Sequence, residues 1–461
     1  MKKRHPMKRL CGMALSLALL AGCAMTEPPA DAQDGGLLDP EDPVTVTIWT
    51  YYNGQQLSTF NRIVDLFNTT VGREQGIVVE SASQGSVGDL EANVLAAVRG
   101  EVGADKVPNM FAAYVDTAYT IDQMGLAADL SPYLTQDEID LYVDSYIEEG
   151  RFDQDGGIKI FPLAKSTEVL LLNDTAWQRF AQATGATYDD LSTMERLVDT
   201  AQAYYEWTDS LTPDVPNDGA AFFGRDAMAN YMLVGAMQLG TELFQVEDGH
   251  MTLNFDRETV RTLWEHYYVP YIKGYFASAG RFRSDDIKTG HIIALVGSSS
   301  GTTFFPDRVV LSDTESYPID SRVFPAPQFE GSPGYAVQQG AGMVVTDSSE
   351  AEVYASVQFL KWFTQSEHDI AFSTGSGYTP VTKDANDIDV IRRYSTDLTP
   401  QMDAVLETAV QTVRENALYT PKAFPTGTDA RRALDRGLSD QAKADREIVV
   451  AALAQGATLE E

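Results

Sequence analysis

Cysteine is nearly absent: the 461 residues contain two, Cys11 and Cys23. Cys11 falls in an N-terminal stretch that reads as removable. The mature chain is therefore expected to hold no intramolecular disulfide and no four-cysteine metal site. Histidine is also scarce, at five residues, and shows no metal-ligand spacing. No run beyond residue 23 approaches ~18 apolar residues, so no downstream helix is expected to span a bilayer. The Gly-rich turns lack the Lys-Ser/Thr of a P-loop, which leaves no nucleotide site to read. No cofactor and no metal are expected. Positive charge is short as well: 34 Lys and Arg against 67 Asp and Glu give a net charge of −33. Such a surface repels nucleic acid and anionic lipid headgroups. An anionic ligand would need a local cationic group.

What is present begins with a signal. Lys2–Arg9 is basic, Cys11–Ala21 is a short apolar run, and Leu20-Ala21-Gly22-Cys23 follows. This order resembles a bacterial lipobox, in which cleavage after residue 22 leaves Cys23 as a lipidated N-terminus. The expectation is a signal peptide over 1–22 and an extracytoplasmic protein held at a bacterial membrane through Cys23. Residues 23–43 carry four prolines, acidic residues and Gly35-Gly36, and read as a flexible tether.

The remainder has globular composition, with 44% hydrophobic and 10% aromatic residues. It is too long for one ordinary core, so at least two lobes are expected. Val44–Trp49 alternates and is β-branched, which predicts a strand. Leu57, Phe60, Ile63, Val64 and Phe67 recur at helical spacing. Ile77–Glu80 is a second strand, Leu90–Val98 a second helix closed by Gly100, Pro108–Tyr114 a third strand, and Thr117–Met124 a third helix. This βαβαβ alternation implies a parallel sheet with helices on its faces. Trp49, Tyr51 and Asp116 lie in the loops at the strand ends. Val169–Leu172 is a short apolar run bounded by Pro162 and the turn pair Asn173-Asp174, which favours a strand. Lys165 and Ser166 sit at its mouth, where α/β proteins bind ligands. Helices are predicted over 190–207, 226–239 and 256–268. Ile292–Val296 is an apolar strand ending at Gly297-Ser298-Ser299-Ser300-Gly301. Val323–Gln328 is extended. Gly340–Thr346 is another strand, followed by a capping-box-like start to a helix through Phe363. Gly375–Pro380 is a turn carrying Tyr378, and helices over 399–417 and 429–453 close the chain.

Two motifs point elsewhere and are set aside. Gly297–Gly301 satisfies G-x-S-x-G after a strand, as a nucleophile elbow with Ser299 would. A secreted serine hydrolase is thus an alternative of another class, but its only downstream histidine is His368, inside a predicted helix. No enzymatic activity is expected. Asp153-Gln-Asp155-Gly-Gly begins like a calcium loop yet lacks the third carboxylate position and the distal glutamate, so a hairpin turn is predicted.

Together the lipobox, Val46–Asn68, Phe161–Asn173, Gly290–Gly301, Gly340–Thr346 and Gly375–Pro380 resemble a family 1 extracellular solute-binding protein of an ABC importer. Lys165-Ser166-Thr167, Ala294–Gly301 and Gly375–Pro380 are most similar to the glycerol-3-phosphate-binding members. The resemblance implies an α/β fold of two lobes, each a mostly parallel sheet flanked by helices, with ligand in the cleft between them. It implies three interlobe crossings, at the Val169, Ile292 and Met343 strands. The expected division is 44–163 with 298–337 for the N-terminal lobe, and 164–297 with 338–461 for the C-terminal lobe. It further implies ligand contacts at Ser166, at Ser298 or its neighbour Ser299, at Gly340 and at Tyr378. Three family positions are not matched. An aromatic falls near Val87. A carboxylate falls on Val115, next to Asp116. A late arginine that holds phosphate falls around Ala423–Gly427, where no arginine stands.

A buried phosphate ester needs fixed donors, and arginine's fork is the usual one; Lys165 could substitute as a point charge. The missing arginine and the negative balance favour a neutral sugar or polyol, with glycerol-3-phosphate or a glycerophosphodiester as runner-up. Trp49, Tyr51, Asp116, Ser166, Ser298 and Tyr378 supply hydroxyl, carboxylate and aromatic groups for that chemistry. Three candidates have a plainer reading: core packing for Trp49, a helix cap for Asp116, an ion pair for Lys165. The expected partners are the small carbohydrate or polyol and the permease subunits of an ABC transporter. No nucleic acid partner is expected, and the protein is expected to be a monomer.

Overall fold

The computed structural model describes residues 36–152, 156–247 and 249–459. The signal segment 1–22, the lipidation residue Cys23, most of the tether and the Asp153–Asp155 turn lie outside the described residues. The tether is shorter than expected. Leu38 already packs against the first hydrophobic core, and Asp39 lies against Gly76, where an added Cβ would come 2.4 Å from the Asp39 carbonyl oxygen. Among the described residues no helix is long and apolar enough to cross a membrane.

Two four-stranded sheets organise the chain. In the first, the strand Val44–Thr50 pairs in parallel with Ile77–Ser83 on one side and Met110–Ala113 on the other. The alternation of β-branched residues sends Val46 and Ile48 to the interior, both fully buried. The helix Gly54–Thr69 covers this sheet because Phe60, Ile63, Val64 and Phe67 fall on one face. The fourth strand is Gly342–Val345, antiparallel to Met110–Ala113. Its helix Glu350–Phe363 returns onto the same core, opened by a capping box between Ser349 and Glu352.

The second sheet runs in the order Ser321–Pro325, Glu168–Asn173, Ala294–Ser298, Phe223–Arg225. Two of its three pairings are antiparallel. It is therefore a mixed sheet and not the mostly parallel one expected. Glu168–Asn173 enters directly from the first lobe, without a crossover helix to return it to the direction of its neighbours. Helices Met194–Asp209, Met228–Gln238, Arg257–Lys273 and the terminal Gly427–Leu453 surround its core. Helices within the expected stretches form in every case, with ends shifted by a few residues.

Strand partners correct the expected division of the chain. Segment 298–337 does not complete the first lobe: Ser321–Pro325 pairs with Glu168–Asn173 in the second sheet. Gly342–Val345 does not belong to the second lobe: it pairs in the first. The later part of 338–461 packs where expected: the helix Pro400–Glu415 lies against Ser321–Pro325, and the terminal helix against Arg257–Lys273 and Met228–Gln238. The strands at Val169, Ile292 and Met343 likewise each belong to one sheet and are not crossings: the first two are interior strands of the second sheet, the third an edge strand of the first. Two passages between lobes lie just upstream of the first and third. There Lys165 bridges to Thr379 and Ser166 bridges to Gln339. All these strands are apolar and buried, so composition does not say which neighbour each will choose.

Candidate functional site

The two passages run side by side. The Ser166 N–H donates to the Gln339 carbonyl (2.8 Å), and the Gln339 N–H donates back to Ser166 (3.0 Å). Gly340 makes this approach possible. Its φ is +88°, and a Cβ there would stand 2.3 Å from the Ala164 carbonyl oxygen. Gly340 therefore acts by letting two backbones meet.

Around this seam a polar cluster gathers from both lobes. Ser298 ends a strand of the second sheet, and its hydroxyl donates to Ser166 (3.1 Å) and pairs with Ser300 (2.9 Å). Tyr51 follows the first strand of the first sheet. Its hydroxyl pairs with that of Tyr378 (3.1 Å) and accepts from the Ala341 N–H (3.3 Å). Tyr378 is stacked on Phe372 and packed edge-on to Tyr52. Burial pushes the hydroxyls of Tyr51, Tyr114 and Tyr378 well above the ordinary tyrosine range, so all three stay neutral donors.

The structure thus brings together Tyr51, Ser166, Ser298, Gly340 and Tyr378. It moves the others to different roles. Trp49 is buried in the first core, 8% exposed, and offers no open face. Lys165 is fully buried, ion-paired to Glu149, and donates to the Gly340 carbonyl (3.0 Å); its charge is spent inside the protein. Ser299 is fully buried, and its hydroxyl has no hydrogen-bond partner. His368, the histidine an elbow would need, stacks on Trp362 in the first lobe. Ser299 therefore lacks both exposure and a base.

Asp116 stands in the first turn of the helix Val115–Gln123, two residues past its N-cap Tyr114. It faces the other lobe. Gly427, the first residue of the terminal helix, lies so close that a Cβ would be 2.1 Å from the Asp116 carboxylate. Burial raises the Asp116 carboxyl to about 6, with Arg431 pulling it back down and Glu91 pushing it up.

Several residues escaped the sequence reading. The Arg431 guanidinium donates to Asn230 and lies near Tyr114 and Asp116. Asn230 in turn donates to Glu168 (3.0 Å) and Gln339 (2.9 Å). Arg225 pairs with the other oxygen of Glu168 (2.7 Å). Beyond Glu149 and Gln338 the cleft widens into a chamber of about 880 Å³ between the lobes. No arginine stands at 423–427; Arg431 lies four residues beyond that stretch. Its only sequence signal is that Gly427 and Arg431 are spaced i, i+4 and share a helix face.

Comparisons with known proteins agree with this architecture. The family model described as bacterial extracellular solute-binding protein matches residues 63–399. A cyclic α-maltosyl-1,6-maltose binding protein from Arthrobacter globiformis superposes with a TM-score of 0.65 at 17% identity, covering 90% of this chain and 100% of its own. UgpB from Mycobacterium tuberculosis, solved with glycerophosphocholine, gives 0.65 at 19% identity, covering 89% and 99%. The maltose/maltodextrin-binding domain MalE from Bdellovibrio bacteriovorus, bound to maltotriose, gives 0.63 at 13%, covering 89% and 100%. At these identities the likeness is one of fold. Curated protein sequences give no significant match.

Proposed function

The chain belongs to the bacterial extracellular solute-binding protein family, and from that premise we propose that it is the substrate-binding lipoprotein of an ABC importer for a sugar or polyol. The observation that carries this reading is the hydroxyl- and amide-rich meeting of the lobes. Tyr51 and Tyr378 come from the first lobe, Ser166 and Gln339 from the passages, Ser298 and Asn230 from the second. Hydroxyl and amide groups of this kind match the alternating donors and acceptors of a polyol. Ligand contacts drawn from both lobes exist together only when the lobes are closed, so binding shifts the protein toward the closed form. The closed form then docks on permease subunits. Cys23 carries the lipid anchor, and the protein acts as a monomer. Several structural neighbours are solved with or named for α-glucans, which supports a sugar.

A glycerophosphodiester remains the second reading, because Arg431 supplies at the cleft the guanidinium that the sequence lacked at 423–427. UgpB, with its bound glycerophosphocholine, favours it too. A thermal-shift screen of the soluble form separates the two. A ligand at 100 times its Kd adds about 2.7 kcal/mol. A shift with sugars or polyols is expected. A shift with glycerol-3-phosphate or glycerophosphocholine alone would reject the first reading.

A further inference from the structure

We propose that the first lobe holds a monovalent alkali cation, Na+ or K+, in an oxygen-lined pocket between the helix Ser366–Ser376 and the loop 380–386, with Asp369 as its counter-charge. This goes beyond the solute-binding reading and does not rest on it. Asp369 stands in the first turn of that helix and is 1% exposed. One of its oxygens accepts from the Val381 N–H (2.8 Å). The other, Oδ1, has no hydrogen-bond partner. Three more buried oxygens share that condition: the hydroxyls of Ser373 and Thr382 and the side-chain carbonyl of Asn386. Native proteins leave few such atoms unpaired, and four on neighbouring segments call for a common partner.

Local structure ties the four together. Ser373 follows Asp369 by one helical turn and shares its face. The Thr382 N–H joins that of Val381 on the Asp369 carboxylate. The Asn386 N–H donates to the Thr382 carbonyl (2.9 Å), and its side-chain amide to the Pro380 carbonyl (2.7 Å). Tyr142 and Tyr146 lie within electrostatic reach of Asp369. Their hydroxyls are engaged elsewhere, with Thr364 (2.8 Å) and Thr379 (3.3 Å).

Charge selects the occupant. Burial pushes the Asp369 carboxyl well above the ordinary carboxylate range, and the Val381 and Thr382 N–H groups pull it only partly back. Among the described residues no Lys, Arg or His forms an ion pair with it: the neighbouring His368 stacks on Trp362, and Lys383 pairs with Asp144. A carboxylate so placed takes up a proton or a cation. A proton on Oδ1 would lack an acceptor, since none of the four oxygens bonds another. A cation is served by all four at once. Oxygen ligands suit a hard ion. One carboxylate neutralises one positive charge, whereas a divalent ion would leave a surplus in a buried site. Among the described residues no group of three or more His, Cys, Asp or Glu is placed to hold a metal. The donors here are mostly neutral, which leaves no spacing motif in the sequence. The ion would hold the loop whose preceding residues reach the lobe junction, Tyr378 at Tyr51 and Thr379 at the Lys165 carbonyl (2.6 Å).

Melting curves at pH 7 and constant ionic strength test this, on the purified chain in NaCl, KCl, CaCl2 and choline chloride. The proteins are the parent, Asp369→Asn and Ser373→Ala. An alkali ion at 100 times its Kd is expected to raise the parent's melting point by about 2–3 °C over choline chloride. Asp369→Asn should melt alike in all four salts. Ser373→Ala, which removes one neutral ligand, should need more of the ion for the same rise, and it carries the test if Asp369→Asn does not fold. Equal melting of the parent in NaCl, KCl and choline chloride would mean a proton or water alone and would overturn the proposal. A rise that the variants keep in full would place the ion elsewhere and overturn it too. A larger rise in CaCl2 than in either alkali salt would overturn the monovalent class.

Discussion

Replacing Lys165 with methionine separates an ion pair from a ligand contact. The Lys165 ammonium is enclosed with the Glu149 carboxylate, their side chains 1% and 3% exposed. Methionine keeps the length of the stem and removes the charge. Glu149 would then be left buried with the Gln338 amide, at 2.8 Å, as its remaining donor. Removing one partner of a buried pair costs about 3–5 kcal/mol, most of it the penalty of the orphaned charge. Unfolding entropy of about 2.1 cal/mol/K per residue makes 1 kcal/mol worth about 1 °C in a chain of this length. The melting point should therefore fall by about 3–5 °C, and the urea midpoint should fall with it. Lys165→Met combined with Glu149→Gln should recover most of the loss, because glutamine can still accept from Gln338. The assay is circular dichroism at pH 7 against temperature and urea, on all three proteins without ligand. If Lys165→Met stays within about 0.5 kcal/mol of the parent, the pair is not structural and the account of Lys165 fails.

Two further outcomes follow from the same geometry. Gly340→Ala places a methyl against the Ala164 carbonyl at 2.3 Å and holds alanine at φ +88°; it should cost about 1–3 kcal/mol from backbone strain alone, read from urea unfolding, and a neutral result would mean the passages do not touch. Asp116 titrates near 6 in the folded protein against an ordinary 3.8. Between those values the folded state holds a proton that the unfolded state has lost, so stability falls as pH rises through that window, by at most about 3 kcal/mol. Melting curves from pH 4 to 7 should show this slope in the parent and a flatter one in Asp116→Asn; equal slopes would reject it.

Most local structure was legible in the sequence because periodicity reports burial directly. Val44–Trp49, the Leu57–Phe67 helix and the capped helix ending at Phe363 all form. Partnership between strands was not legible. Val323–Gln328 and Gly340–Thr346 are both short and apolar, and nothing within either says that the first joins Glu168–Asn173 and the second joins Met110–Ala113. The site divided in the same way. Ser166 and Ser298 stand at the ends of strands, and Tyr378 in a turn, that the pattern marks. Tyr114, Asn230, Gln339 and Arg431 reach the cleft only through the packing of separate elements. Lys165 shows the converse error. At a strand mouth its charge suggests a ligand, whereas Glu149, sixteen residues upstream, has already claimed it.

The interleaving of the two sheets also sets an order of events during folding. The strand Gly342–Val345, which completes the first sheet, follows every strand of the second in the chain. The first lobe therefore cannot finish until the sheet of the second has been synthesised, and its pairing with Met110–Ala113 closes a loop that holds every strand of that other sheet. Contacts of such separation make folding slow. Until that strand arrives, the Met110–Ala113 edge stands open to other chains, and a partner that shields it would raise the yield of native protein.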